Sequence, residues 1–576
     1  MMRVLLAGLL VLTAVAGCLS DGDNDKTVDQ PPVGTTTDEG LFVASALDGN
    51  GYPLPALLCQ PMLPGAEPLH NASKRCNFNM TPDDGREGNE VTIAVNPADP
   101  RNVVGGAKDY YPPDAGECVW DGVYVTHDGA ATVYQDRSFD GSPWHIRNGD
   151  LEGFTPTYAS QFWCTTDPVA YFDVNGKLYY LLMAYQADPV TGAKTCKDIC
   201  PNGALNDWAF NRATQIVATS TNGGDTFDVF TPVLEGTFPI DFHDKGWVAA
   251  GPSGTIHVMW LASLAPGNFY FRSTDGGATF PLADSEIMAS TLQGAGQGSF
   301  VDVGTNYQVY ATWVSGGIQL RRSMNDGVDW DAQREVLHPN QADMPGIGPR
   351  DRRGGFPTFA TDRNQFSPFA NALYYVWQDE CQGPWSNQCE DRDGASVYFS
   401  ASFNQGESFL DPIRISTPKA GDSAQYEIFP VVSVSPGGVI DVSWMDTEGG
   451  QLFDCDDVTD CSGYADLDGK HPGFTQKYVY SLDGGKTWSQ EFTVRDDQQN
   501  GWNPEFCTHQ NGSIFIGDYN DIDSSWQAAH PVWPDTRDDA NCKVYTATIR
   551  RPVFANGWAE DDLLNALKII KDHPLT

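Results

Sequence analysis

Charged and tyrosine residues recur at the ends of short apolar runs in this chain of 576 residues. Before the runs stand Glu90, Asp167, Asp244 with Lys245, Arg352 with Arg353, and Tyr426 with Glu427. After them stand Asp109, Asp379 with Glu380, Asp446, and Asp535 with Arg537, while Asp518 and Tyr519 lie at the last run. Carboxylates gathered from several strand ends can ligate a cation through oxygen. In pairs they can act as acid and base in glycoside hydrolysis. Asp244, Asp379, Glu427, Asp446 and Asp535 are the candidate catalytic acids. The acidic stretch 454–470 lacks the first acidic position and the closing glutamate of an EF-hand loop, so Asp466, Asp468 and Asp518 are candidates for a calcium site of another kind. Calcium is the one cofactor these residues suggest. The competing reading is structural: a Trp-x-Asp end caps its strand and fixes the loop beyond it. No Walker A loop, H-E-x-x-H or G-x-S-x-G motif is present.

The elements that must position these residues come from a repeat. Five octapeptides share the pattern Ser, any, Asp/Asn, any, Gly, any, then a short polar residue and an aromatic. They begin at Ser220, Ser273, Ser323, Ser402 and Ser481, with a degenerate copy at Thr126. Asp or Asn accepts backbone N–H bonds across a turn, and Gly supplies the positive φ of a reversal. Alternating strands flank each copy, as in 269–273 and 477–481. Ahead of each copy runs an apolar strand, a turn and a second strand, as in 246–260 and 429–444. Seven such units are expected, roughly 90–140, 166–235, 244–290, 296–340, 354–415, 428–495 and 512–552, and the last has no octapeptide. The fold expected is an all-β β-propeller of seven blades, six being the alternative. Residues 41–89, rich in proline, are expected to wrap it. Leu563, Leu564, Leu567 and Ile570 have helical spacing and predict a short helix in the tail 553–576.

The octapeptides resemble the Asp-box, or BNR, repeat of the sialidase superfamily over roughly residues 90–550. The resemblance implies that each box joins the two outer strands of a blade. All boxes then lie on one face, and the long loops 184–208, 378–396 and 445–477 lie on the other. It also implies a site that grips a substrate carboxylate with arginines and attacks with a tyrosine assisted by glutamate. Arg353 and Arg537, with Lys245 as a third cation, are the candidate ligand-binding residues. Tyr519, or Tyr426 with Glu427, is the candidate nucleophile. The Arg-Ile-Pro motif of that family is absent. The function expected is a sialidase-like propeller that binds or processes glycans, and, if an enzyme, an exo-glycosidase. A non-catalytic adhesion or assembly propeller with a protein partner at the cell envelope is the alternative.

Residues 1–17 carry one arginine ahead of an apolar run that is shorter than a membrane span. They read as a secretory signal, and Val15-Ala16-Gly17-Cys18 resembles a lipobox, which makes Cys18 the lipid anchor of an exported chain. Residues 18–40 are a polar tether. Of the 13 cysteines, 12 then remain to pair outside the cell. The pairs expected are Cys59–Cys76, Cys118–Cys164, Cys196–Cys200, Cys381–Cys389, Cys455–Cys461 and Cys507–Cys542. The formal charge of −41 repels phosphate backbones and excludes nucleic acid as a partner. Membrane contact is expected through the lipid alone, and the propeller is expected to be a monomer.

Overall fold

The computed structural model describes residues 47–551. It leaves out 62–73, 82–86, 111–119, 130–143, 147–163, 186–212, 237–242, 263–266, 340–353, 381–393, 418–425, 448–451, 456–469, 495–501, 508–513, 538–540 and positions 59, 128, 366 and 527. The expected signal, Cys18, the tether and the tail helix lie outside the described residues. The fold is an all-β propeller of seven blades, as the unit count predicts. Six blades are consecutive antiparallel sheets of four strands spanning 87–146, 164–236, 243–290, 300–337, 358–414 and 427–494. The seventh takes Asp521–Ser524, Ala528–Asp535 and Lys543–Ala547 from the end of the chain and Asn77–Asn79 from its beginning. Asn77–Asn79 pairs with Tyr545–Ala547 as the outer strand, so the wrapping segment closes the ring. Among the described residues no helix is long and apolar enough to cross a membrane.

The first strand of each blade packs against that of the next, and the first strand of blade 7 packs on that of blade 1. These inner strands line the channel and leave backbone groups unpaired on their inner edge, which must be satisfied by side chains. Asp521 Oδ2 accepts from Ile93 N at 3.0 Å and Asp523 Oδ2 from Val95 N at 2.8 Å, which ties blade 7 to blade 1. Asp302 Oδ2 accepts from Thr361 N at 2.8 Å and ties blade 4 to blade 5. Between blades the core is aromatic. Trp260, Trp313, Trp377, Trp444 and Trp533, from the second strands of blades 3 to 7, are wholly buried.

The five octapeptides form five equivalent turns between the third and fourth strands of blades 2 to 6. In each the serine Oγ donates to the Asn or Asp two residues on, at 2.6–2.9 Å. The glycine N–H returns to that Oγ at 2.8–3.0 Å. The residue four positions after the serine-following pair, at 226, 279, 329, 408 and 487, donates its N–H to the same Asn or Asp oxygen at 2.9–3.0 Å. The turns share a face with the hairpins of the inner strands: Asn102 Nδ2 donates to Gly223 O at 2.9 Å, and Lys177 Nζ to Gly276 O at 2.8 Å.

Candidate functional site at the channel mouth

Each inner hairpin is closed by a backbone N–H from Asn96, Asp173, Gly251, Gly304, Asp362, Ser435 or Ser525. Six positions before these stand Glu90, Asp167, Lys245, Gly298, Phe356, Phe429 and Tyr519. They form one level around the channel, at the end away from the octapeptide turns. Five of the seven, Glu90, Asp167, Lys245, Gly298 and Phe429, have φ between 49° and 65°. In blades 1, 3 and 6 the strand register shifts next to this residue, so a bulge creates the conformation. A left-handed backbone costs a non-glycine residue roughly 1–3 kcal/mol and persists where the surroundings over-determine it, as at functional sites.

The level divides into two halves. Blades 7, 1, 2 and 3 supply Tyr519, Glu90, Asp167 and Lys245, and these converge. Lys245 Nζ lies 2.6 Å from Glu90, 3.0 Å from Asp518 and 3.5 Å from Asp167, and 5.0 Å from the Tyr519 ring centroid. Lys108, from the second strand of blade 1, reaches Glu90 at 2.7 Å and Asp167 at 3.8 Å. Glu90 is 1% exposed while both lysines keep part of their surface. Blades 4, 5 and 6 supply Gly298, half-buried Phe356 and buried Phe429. The absence of a side chain on Gly298 makes room for the Phe356 ring, which stands 3.0 Å from where a Cβ would be. Below this level Trp247 packs on Phe300, ring centroids 4.4 Å apart.

Burial and charge separate the carboxyls. Burial pushes Glu90 up, but Lys108 and Lys245 outweigh it and hold Glu90 well below the usual glutamate range. Burial and the neighbouring Glu90 push Asp167 up to about 7. The two carboxyls share the same two ammoniums: Lys245 stands 2.6 Å from Glu90 and 3.5 Å from Asp167, and Lys108 stands 2.7 and 3.8 Å from them. Burial also raises Asp244 and, with Asp167, raises Asp121 well above the aspartate range. Asp121 is fully buried, and neither oxygen has a hydrogen-bond partner among the described residues. Burial lifts the Tyr519 phenol well above 10, so it is not primed as a phenolate. Glu90 and Asp167 are thus coupled electrostatically through Lys108 and Lys245.

Of the residues singled out from the sequence, Lys245, Asp244, Asp518 and Tyr519 meet here with Glu90 and Asp167. Asp379 and Asp535 accept the indole N–H of Trp377 and Trp533, at 2.8 and 2.9 Å. The Trp-x-Asp ends of blades 5 and 7 thus fix their own strands. Arg537 is clamped on Asp535 and Asn77 and lies over Tyr545 at 4.9 Å. Glu427 stands opposite Asp446 in blade 6, accepts from Val397 N at 3.1 Å, and is pushed up to about 8 by burial and Asp446. Arg353, Asp466 and Asp468 lie outside the described residues. Cys507 pairs with Cys542 as expected, and Cys76 and Cys455 are disulfide-bonded; the other pairings involve residues or side chains outside the described set. Among the described residues no three His, Cys, Asp or Glu side chains are placed to hold a metal ion. Sequence reading missed Lys108, Asp121 and Phe356. Counting six positions back from each hairpin would have found Phe356, whereas Lys108 and Asp121 arrive from second and third strands with no such signal.

No protein-family model and no curated protein matches this chain. Among solved structures it is similar to a protein of unknown function from Dyadobacter fermentans DSM 18053, at 12% identity over 68% of this chain and 95% of that one, TM-score 0.36. It is also similar to the α-L-arabinofuranosidase Arb93A from Fusarium graminearum, at 12% identity over 82% and 97%, TM-score 0.36. A third is the intramolecular trans-sialidase from Ruminococcus gnavus, at 12% identity over 61% and 89%, TM-score 0.34. Identities this low carry no residue of those proteins onto this chain.

Proposed function

We propose that this chain is an exported propeller, anchored through Cys18, that binds glycans at the channel mouth opposite the octapeptide turns. The observation that carries the reading is the divided level of residues: Lys245, Glu90, Asp167 and Tyr519 on one side, Phe356 on the other, over the Trp247–Phe300 pair. A sugar ring offers hydroxyls at its edge and C–H groups on its faces, and a concave mouth with a few converging polar groups and an apolar wall suits both. The octapeptides, read as Asp-boxes of the sialidase superfamily, agree with a carbohydrate ligand. The engagement of both Glu90 and Asp167 by Lys108 and Lys245 favours binding over hydrolysis, because ion-paired carboxylates are poor nucleophiles.

The test is a glycan array probed with the mature chain, with calorimetry on the hits and turnover assays on sialosides and other glycosides, with and without calcium. Binding is expected, weakened at least tenfold by Tyr519→Ala or Asp244→Ala. Failure of the folded chain to bind any glycan, together with recovery of a stable envelope protein by crosslinking, would replace this reading with the adhesion propeller. That alternative has its own motivation at the other end of the channel. A cavity of about 370 Å³ opens there, rimmed by the exposed side chains of Trp526 and Val174 and by Pro97, Pro252 and Pro436.

A further inference from the structure

Resting on the glycan reading above, we infer that the mouth selects uncharged sugars and excludes carboxylated ones such as sialic and uronic acids. The argument begins with donor counting. A lysine ammonium has three N–H donors and no more. Lys245 faces three carboxylates, those of Glu90, Asp518 and Asp167, at 2.6, 3.0 and 3.5 Å. Its donors are spent inside the protein. Lys108 donates to Glu90 at 2.7 Å and forms an ion pair with Asp167 at 3.8 Å, and its ammonium lies 5.7 and 5.8 Å from the Tyr110 and Phe515 ring centroids. An incoming sugar carboxylate would have to break one of these pairs and leave a buried acid unpaired, which costs more than the new pair returns.

Charge balance points the same way. Two ammoniums face four carboxyls, those of Glu90, Asp167, Asp244 and Asp518. A second anion enters against that field, whereas an uncharged sugar does not. A planar guanidinium fork is the group best suited to carboxylate capture. Arg537, the described arginine proposed for that role from the sequence, is held by Asp535 and Asn77. Carboxylates with remaining lone pairs, by contrast, are ready acceptors for sugar hydroxyl donors, and Asp244 is half-exposed beside Lys245. The phenyl ring of Phe356 and the Trp247–Phe300 pair complete a surface that asks for C–H faces and hydroxyl edges with no net charge.

The experiment compares matched ligands on the mature chain: lactose against 3′-sialyllactose, and methyl-esterified against free oligogalacturonate, with an array of uncharged oligosaccharides alongside. The expected result is that the uncharged member of each bound pair is favoured at least tenfold. Its Kd is expected to change less than about twofold between low and high salt, because no ion pair with the ligand forms. Asp518→Asn, which removes one charged partner of Lys245, is expected to narrow the ratio of the two affinities several-fold; thermal unfolding confirms that the variant is folded. Tighter binding of the carboxylated members, lost in high salt, overturns the inference and leaves the glycan reading standing. Absence of binding to every sugar on the array overturns the glycan reading itself. Wild-type discrimination unchanged in folded Asp518→Asn overturns the donor-counting argument.

Discussion

Asp167 shows how one residue at the mouth ties stability to pH. An ordinary aspartate releases its proton near 3.8, while folded Asp167 keeps it to about 7. Folding therefore takes up a proton between these values, and this group's contribution to stability falls as pH rises through that window. Glu90 has the opposite sign. Its folded value is held low by Lys108 and Lys245, so its contribution is present above the ordinary 4.5 and is lost as pH falls. Asp167→Asn is expected to flatten the decline in stability between about pH 4 and 7. Urea unfolding midpoints at several pH values measure this, and a slope identical to wild type would sink the assignment. The same residues show why chemistry was only partly legible in the sequence. Lys245 and Tyr519 stand out as strand-end residues, but so do Asp379, Asp535 and Arg537, which the fold spends on indoles and on each other. Residue type and position along a strand do not reveal whether a side chain faces the channel or a neighbouring tryptophan.

At the scale of the element, the octapeptide turn is the repeated part whose chemistry survives isolation. Its hydrogen bonds run among residues no more than four apart, so local sequence suffices to specify it. The glycine that follows the Asn or Asp also meets the next layer. Gly485 has φ +86°, and a Cβ there would stand 2.3 Å from the Phe399 ring. Gly254 has nearly the same φ, +82°, in a hairpin turn with nothing within 4 Å. Gly254→Ala is expected to cost about 1–2 kcal/mol, the left-handed penalty alone. Gly485→Ala adds overpacking, typically about 1–3 kcal/mol, to that penalty. Chemical denaturation of the two variants separates the contributions, and equal losses would show that Phe399 yields without cost. The bulges that turn Glu90, Asp167 and Lys245 into the channel are elements of another kind. A glycine or proline lies within two residues of each, at Gly88, Pro168 and Gly246, yet the left-handed residue is the charged one, which only the packed neighbours reveal.

The whole molecule is a ring, and rings need closure. Blade 7 borrows Asn77–Asn79 from the start of the chain, and Ala56–Leu57 pairs with Ile549–Arg550 beside it. Contacts so distant along the chain form late and make one cooperative unit of the ends. A variant lacking residues 42–81 is expected to lose amide protection first in Lys543–Ala547, with a fall in unfolding midpoint of a few °C for a loss of several kcal/mol, about 1 °C per kcal/mol in a unit this large. Hydrogen exchange followed by mass spectrometry checks this, and unchanged protection of that strand would mean that blade 7 stands without its borrowed neighbour. The channel itself is barred between its two ends. Arg363, from the hairpin turn of blade 5, lies 4.7 Å over the Tyr171 ring of blade 2, near Asp302 of blade 4 and Asp523 of blade 7. The acidic mouth and the apolar chamber thereby lie on opposite sides of this contact.

The sequence by itself determined the strands, the five turns and seven repeated units, with six blades left as the alternative. Each of these depends on period-two apolar patterning or on hydrogen bonds a few residues long, which repeat and so reinforce one another. What tertiary structure alone decided was the membership of the mouth. Glu90, Asp167, Lys245, Asp518 and Lys108 come from four blades, and they meet only because the ring closes and brings equivalent positions to one level. Electrostatic coupling follows distance in space, and the acid–base split between Glu90 and Asp167 therefore exists only in the closed propeller.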